Sequence, residues 1–345
     1  MKHKPVPPER LPELLRAMPK AELHMHIEGS LEPDMIFAMA QRNGVPLAYP
    51  SVQALREAYV FNNLQEFLDI YHAGTTVLKT EQDFFEMTDA YLARAQADNV
   101  LHTEIFFDTQ THTGHGTSVE TVINGLHRAC QEAPLRHGMT ASLILCFLRH
   151  LSEAEAFECL EQVLPHRDKI VGIGLASSEV GHPPEKFAKV FARAKQLGFR
   201  LVAHAGEEAP PAYIWSALDV LKAERIDHGV QVIHDAALMQ RLAQDRVPLT
   251  VCPLSNLKLC VFPTLAQHNL GRMLDAGIMA TVNSDDPAYF GGYINANFAQ
   301  TFAALGLTAG HAYQLARNSF EASFIDASLR NRYVDRLDST FQTFE

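Results

Sequence analysis

The sequence predicts an α/β chain folded as a (β/α)8 TIM barrel with a helical insertion after the first strand. Three observations carry that prediction. Eight short apolar runs rich in β-forming residues recur along the 345 residues, amphipathic helical stretches lie between them, and the chemistry-bearing residues collect at the C-terminal ends of the runs.

The first run is AELHMHI (21–27). Its alternation places His24 and His26 on one face of a strand, with Cα atoms about 7 Å apart, where both imidazoles can grip one ion. On a helix they would point nearly opposite ways, and an isolated pair would more simply be two hydrogen-bonded strand histidines. Residues 28–99 then read as helical throughout (EPDMIFAMAQRNG, NLQEFLDIYHAGTTVL, TEQDFFEMTDAYLARAQAD), an insertion placed to roof the barrel mouth. The second run is VLHTEIFFD (100–108), whose paired phenylalanines are expected in the core. The third and fourth are ASLILCFL (141–148) and IVGIGLAS (170–177). The fourth imitates a dinucleotide-binding loop but lacks the third glycine. An amphipathic helix, EKFAKVFARAKQLG (185–198), follows and ends on a C-cap glycine. FRLVAHA (199–205) and RIDHGV (225–230) are the fifth and sixth runs. The helix DAALMQRLAQDR (235–246) leads to the seventh, VPLTVCP (247–253), and IMATVNSD (278–285) is the eighth. No linker divides the chain, so residues 1–345 are expected to form a single domain.

Composition narrows the function classes. With 40 acidic against 29 basic residues the net charge is −11, and no dense Lys/Arg run is present, which argues against nucleic-acid and anionic-membrane partners. The charged, proline-rich start MKHKPVPPER has no apolar segment behind it, and no stretch approaches membrane-span length. Five cysteines without close pairing suit a reducing compartment, so a cytoplasmic protein is expected. Cys252 and Cys260 read as small core residues, and His112, His115 and His182 as solvent-exposed loop residues. The fragment HTE (102–104) imitates the His-x-Glu of cytidine-type zinc deaminases, but no Pro-Cys-x-x-Cys follows it. Oligomeric state is not legible.

The ends of the strands hold the candidate site. His24 and His26 end the first, His204 the fifth with Glu207 just beyond, His228 the sixth, and Asp285 and Asp286 the eighth before Pro287 stops it. Three imidazoles and one carboxylate favour zinc over calcium or magnesium, with a position left open for water. A zinc ion so held lowers the pKa of bound water from about 15.7 towards 7. Glu207, a short turn past a ligand, can reach a substrate, which leaves His228 and Asp286 for orientation and proton handling.

The stretches PKAELHMHIEGSLEP, VAHAGEE, RIDHGV, CPLSN and NSDDPAYFGG resemble the adenosine and adenine deaminase family of the amidohydrolase superfamily. The resemblance implies a barrel that hydrolyses the 6-amino group of a purine, and a small-molecule purine base as its partner. It implies one zinc per chain on His24, His26, His204 and Asp285. Glu207 would act as general acid at N1, His228 would orient the attacking water and stabilise charge, and Asp286 would hydrogen-bond N7. FNNLQEFLDIYHAG, EIFFDTQTHT, FLRHLSEAEA and SSEVGHPPEKF resemble the bacterial and fungal adenine deaminases within the family, implying adenine to hypoxanthine and ammonia in purine salvage. Glu179 falls where a carboxylate could accept N9–H of a free base, or else face solvent. Ala176 stands where the adenine enzymes carry an aspartate, which leaves N6-substituted (cytokinin-type) adenines, or adenosine, as the alternative substrates.

Overall fold

The computed structural model describes residues 6–344. The charged start of the sequence, as far as residue 5, lies outside the described residues.

Eight parallel strands run in sequence order around the sheet. They are β1 (Lys20–His26), β2 (Val100–Phe107), β3 (Thr140–Leu148), β4 (Gly172–Ala176), β5 (Arg200–Ala205), β6 (Arg225–His228), β7 (Leu249–Val251) and β8 (Ala280–Val282). Each overlaps the apolar run that predicted it. The runs read as continuously apolar because helices cover the outside while side chains fill the inside, so both faces are buried. β2, for example, is buried at every position.

Closure comes from a single parallel bridge between Met25 and Asp285. The Asp285 N–H donates to the His24 carbonyl at 3.1 Å, and the His26 N–H donates to the Asp285 carbonyl at 2.8 Å. The seam of the barrel therefore lies within the residues that the sequence marks as the candidate site.

Capping sets the connecting helices. Thr80 and Asp83 form a capping box on the helix Glu81–Ala97, and Ser152 and Glu155 form one on Glu153–Val163. The helix Ala188–Gln196 ends before Gly198, whose φ of +86° supplies the left-handed turn the sequence predicted. The insertion contributes the helices Pro33–Asn43, Val52–Glu57 and Leu64–Thr75. Among the described residues no helix is long and apolar enough to cross a membrane.

Two expectations about side chains fail. Cys260 is exposed, because it sits in a left-handed turn at φ +61° just past the helix Pro253–Lys258. His112 is buried rather than solvated, since its Nε2 meets Glu28 Oε1 at 2.9 Å beneath the insertion.

Candidate active site

On β1, the two-residue period turns Glu22, His24 and His26 into the barrel, while Leu23 and Met25 join the main apolar core. His204 reaches the same point from the end of β5, and Asp285 from just beyond β8. Both Asp285 and His228 adopt positive φ, at 63° and 62°. Such backbone is costly for a non-glycine residue, and here it turns each side chain inward at the end of its strand. Glu22 braces the seam: its Oε1 accepts from the Ser284 N–H at 3.0 Å, and its Oε2 accepts from the Tyr91 hydroxyl at 2.6 Å.

The donor atoms of His24, His26, His204 and Asp285 lie within 4.8 Å of one another. His24 Nε2 and His26 Nε2 stand 3.3 and 3.5 Å from Asp285 Oδ1, and His26 Nε2 stands 3.1 Å from His204 Nε2. His24 Nε2 is buried and makes no hydrogen bond. Burial and the neighbouring His204 lower the His26 imidazole to about 3, so it is neutral at working pH. Three imidazole nitrogens converging with a carboxylate on one point fit a divalent cation of zinc type. A second set, His228, Cys252 and Asp285, shares that carboxylate. Burial, with the charges of Asp285 and Glu207, pushes the Cys252 thiol well up.

Beside these donors opens a cavity lined by polar side chains on one side and apolar ones on the other. Leu64, Phe67, Leu68, Tyr71 and His72 of the helix Leu64–Thr75 form one wall, so the insertion roofs the mouth as the sequence predicts. Glu207, His228 and Asp286 all face the cavity. Burial, with the charges of Asp285 and Glu179, pushes the Glu207 carboxyl well above the usual carboxylate range. Burial and the adjacent Asp285 do the same to Asp286. Glu207 Oε1 and Asp286 Oδ1 are both buried without a hydrogen-bond partner. The pocket thus offers two buried carboxyls whose surroundings favour the protonated form.

His228 is held by residues the sequence reading missed. The Leu270 N–H donates to His268 Nδ1 at 3.1 Å, which leaves the His268 proton on Nε2, facing Asn256 Oδ1 at 3.3 Å. That fixes the Asn256 amide, whose Nδ2 donates to His228 Nδ1 at 3.3 Å. The His228 proton therefore sits on Nε2, 3.5 Å from Glu207 Oε2 and 3.6 Å from Asp285 Oδ2. Asn256 belongs to the CPLSN stretch noted in the sequence; His268 carries no local signal.

Glu179 takes neither of its two expected positions. It is 1% exposed, and its carboxylate accepts from the N–H groups of Gly206, Glu207, Glu208 and Ala209 at 2.6 to 3.1 Å. It is the clamp beneath the loop that presents Glu207. Ala176 faces the cavity and packs with Phe106, Ile144, Cys146 and Val202 in a small cluster inside the barrel. Phe106 meets its core expectation and also lies against His24, 5.0 Å between ring centroids.

The family model described as adenosine deaminase matches residues 19–340. An adenine deaminase of Albidiferax ferrireducens is 76% identical over 342 residues, covering 99% of both chains. The crystal structure of an adenine deaminase from Arthrobacter aurescens superposes with a TM-score of 0.93 at 48% identity, over 94% of this chain and 99% of that one. An amidohydrolase from Burkholderia ambifaria, solved with bound zinc, gives a TM-score of 0.88 at 26% identity, over 96% of this chain and 94% of that one.

Proposed function

The chain belongs to the adenosine deaminase family, and on that premise we propose that it is an adenine deaminase, hydrolysing adenine to hypoxanthine and ammonia. One observation supports the substrate chemistry above the rest: two buried carboxyls, Glu207 and Asp286, each with an unpartnered oxygen, line the cavity beside four side chains that could hold a metal. Adenine presents N1 and N7 as hydrogen-bond acceptors on either side of C6, so two acids flanking the reacting carbon match it.

In this reading His24, His26, His204 and Asp285 hold one zinc per chain. The ion supplies Lewis acidity and a water acidic enough to attack at neutral pH. Asp286 donates to N7 and fixes the ring in the plane of the site. Glu207 gives its proton to N1, which draws electron density from C6 as the water oxygen adds there. The His228 Nε2–H orients that water and stabilises the charge that develops on its oxygen. When the C6 centre collapses, the amino group leaves with one proton of the attacking water as ammonia, the second water proton returns to Glu207, and C6 becomes the carbonyl carbon of hypoxanthine. Glu207, His228 and Asp286 are buried, and the low dielectric around them strengthens each of these interactions.

The whole chain, residues 1–345, is read as one hydrolase domain, supported by an apolar core cluster that runs from Leu14 to Phe344. The five free cysteines, four of them buried, support a reducing cytoplasm as its compartment.

Ammonia release from adenine, adenosine, N6-methyladenine and N6-isopentenyladenine tests the proposal, with Glu207→Gln run alongside. Adenine is expected to give the highest kcat/KM. Glu207→Gln keeps the shape but has no proton to give, and its kcat on adenine should fall by at least about 10²-fold with zinc content unchanged. Wild-type turnover by Glu207→Gln would overturn the general-acid role. The small side chain of Ala176 on the cavity wall favours one other outcome, a preference for the N6-substituted bases.

A further inference from the structure

Asp227 stands one residue before His228 in β6 and was given no role by the sequence reading. Its side chain is fully buried, on the same interior face as Arg225. Its Oδ1 accepts from the Thr250 hydroxyl at 2.9 Å, and Thr250 Oγ1 lies 2.9 Å from His24 Nδ1. A threonine hydroxyl has one proton, and a carboxylate can only accept. That proton therefore goes to Asp227, and Thr250 must accept from His24. His24 then carries its proton on Nδ1 and leaves a lone pair on Nε2.

On the other side, Asp227 Oδ2 lies 3.3 Å from His204 Nδ1, within ion-pair distance, and neither atom makes a hydrogen bond among the described residues. The same reasoning puts the His204 proton on Nδ1 and frees Nε2, the nitrogen 3.1 Å from His26 Nε2. One carboxylate thereby selects the same tautomer in imidazoles from β1 and β5, strands on opposite sides of the barrel.

Asp227 is itself held. Arg225 Nε lies 3.8 Å from its Oδ1, while the rest of that guanidinium donates to Glu104 Oε2 at 2.5 Å and to the Leu23 carbonyl at 3.2 Å. Leu23 precedes His24 in the chain. Arg225 is shared between Glu104 and Asp227, and Asp227 places its carboxylate directly behind two imidazoles of the proposed metal site. Glu104 is the glutamate of the HTE fragment, which thus belongs to this brace.

We propose that Asp227 is a positioning residue for the metal, setting the tautomer and orientation of His204 directly and of His24 through Thr250. It touches neither metal nor substrate. The proposal rests on His24, His26, His204 and Asp285 being the metal ligands.

The test is zinc transfer from loaded protein to a chromophoric chelator, read as an apparent dissociation constant. Asp227→Asn should weaken zinc binding by about 10- to 100-fold, the usual effect of losing such a partner. Thr250→Val breaks only the arm to His24 and should weaken it by a smaller factor. Thr250→Ser keeps the hydroxyl and should restore the wild-type constant, which a loss of packing alone would not produce. Wild-type constants in both Asp227→Asn and Thr250→Val would overturn the proposal. Should Asp227→Asn fail to fold, the threonine pair decides, and equal constants for Val and Ser at position 250 overturn it. Wild-type protein that takes up no zinc would overturn the metal reading and this proposal together. Zinc-binding wild type with unchanged variants would overturn the role of Asp227 alone.

Discussion

A Cβ placed on Gly29 would come within 2.0 Å of Asp286 Oδ1, so the third residue after His26 must be glycine for that acid to stand over the cavity. The closeness of such contacts explains why single polar atoms matter here. Asn256 is the sharpest case, because its amide dictates which nitrogen of His228 is protonated. Asn256→Asp offers only acceptors, so the His228 proton should move to Nδ1 and the Nε2 donor should vanish. We expect kcat on adenine to fall by about 10²-fold while zinc content stays at the wild-type level, measured by ammonia release and metal analysis. An unchanged kcat would remove the Nε2–H of His228 from the mechanism. Glu179 shows the opposite division of labour: a buried acid near the pocket that spends itself on backbone N–H groups and leaves none of its capacity for a substrate.

At the scale of elements, one buried side chain pins two helices of the 28–99 segment together. Asp83 is fully buried and accepts from the backbone of Lys79 at 3.0 Å, the backbone of Thr80 at 2.8 Å and the Asn43 amide at 2.9 Å. It also pairs with Arg42, so the end of the helix Pro33–Asn43 is pinned to the start of the helix Glu81–Ala97. Burial works to raise the Asp83 carboxyl, but the hydrogen bonds from Lys79, Thr80 and Arg42 outweigh it and hold it below the ordinary value. Its contribution to stability is therefore complete above the unfolded carboxylate pKa of about 3.9, and is lost as pH falls through the lower folded value. Asp83→Asn should cost about 1–3 kcal/mol at neutral pH and flatten the acid limb of stability against pH, followed by denaturant melts between pH 7 and 3. A variant whose acid limb matched wild type would show that other carboxylates control it.

For the molecule as a whole, the barrel seam and the proposed metal donors meet at Asp285, so binding an ion there should be linked to closing the barrel. A ligand that binds only the folded state adds about 4.1 kcal/mol at a thousandfold excess over its Kd. Zinc should accordingly raise the thermal midpoint of the stripped protein and restore its ammonia release, whereas magnesium, which demands oxygen donors, should do neither. Calorimetry on chelated and reloaded protein checks this, and an identical midpoint with and without zinc would uncouple the site from closure.

The sequence by itself determined the barrel and the reactive ring of side chains. Apolar runs buried on both faces specify strands locally, and the period of two puts His24 and His26 on one interior face without any knowledge of the rest of the chain. The rule that barrel chemistry gathers at C-terminal strand ends then collects His204, Glu207, His228, Asp285 and Asp286. Tertiary structure alone decided what each of these residues is held by. His24 meets Thr250 across 226 positions, and Arg225 meets Glu104 across 121, separations at which no local pattern operates. The same holds for the clamp of Glu179 on the Glu207 loop and for the burial of His112 against Glu28. Periodicity reports the face a side chain presents. The partner of a buried polar group is fixed only when distant strands pack, because a hydrogen bond depends on distances of a few tenths of an ångström.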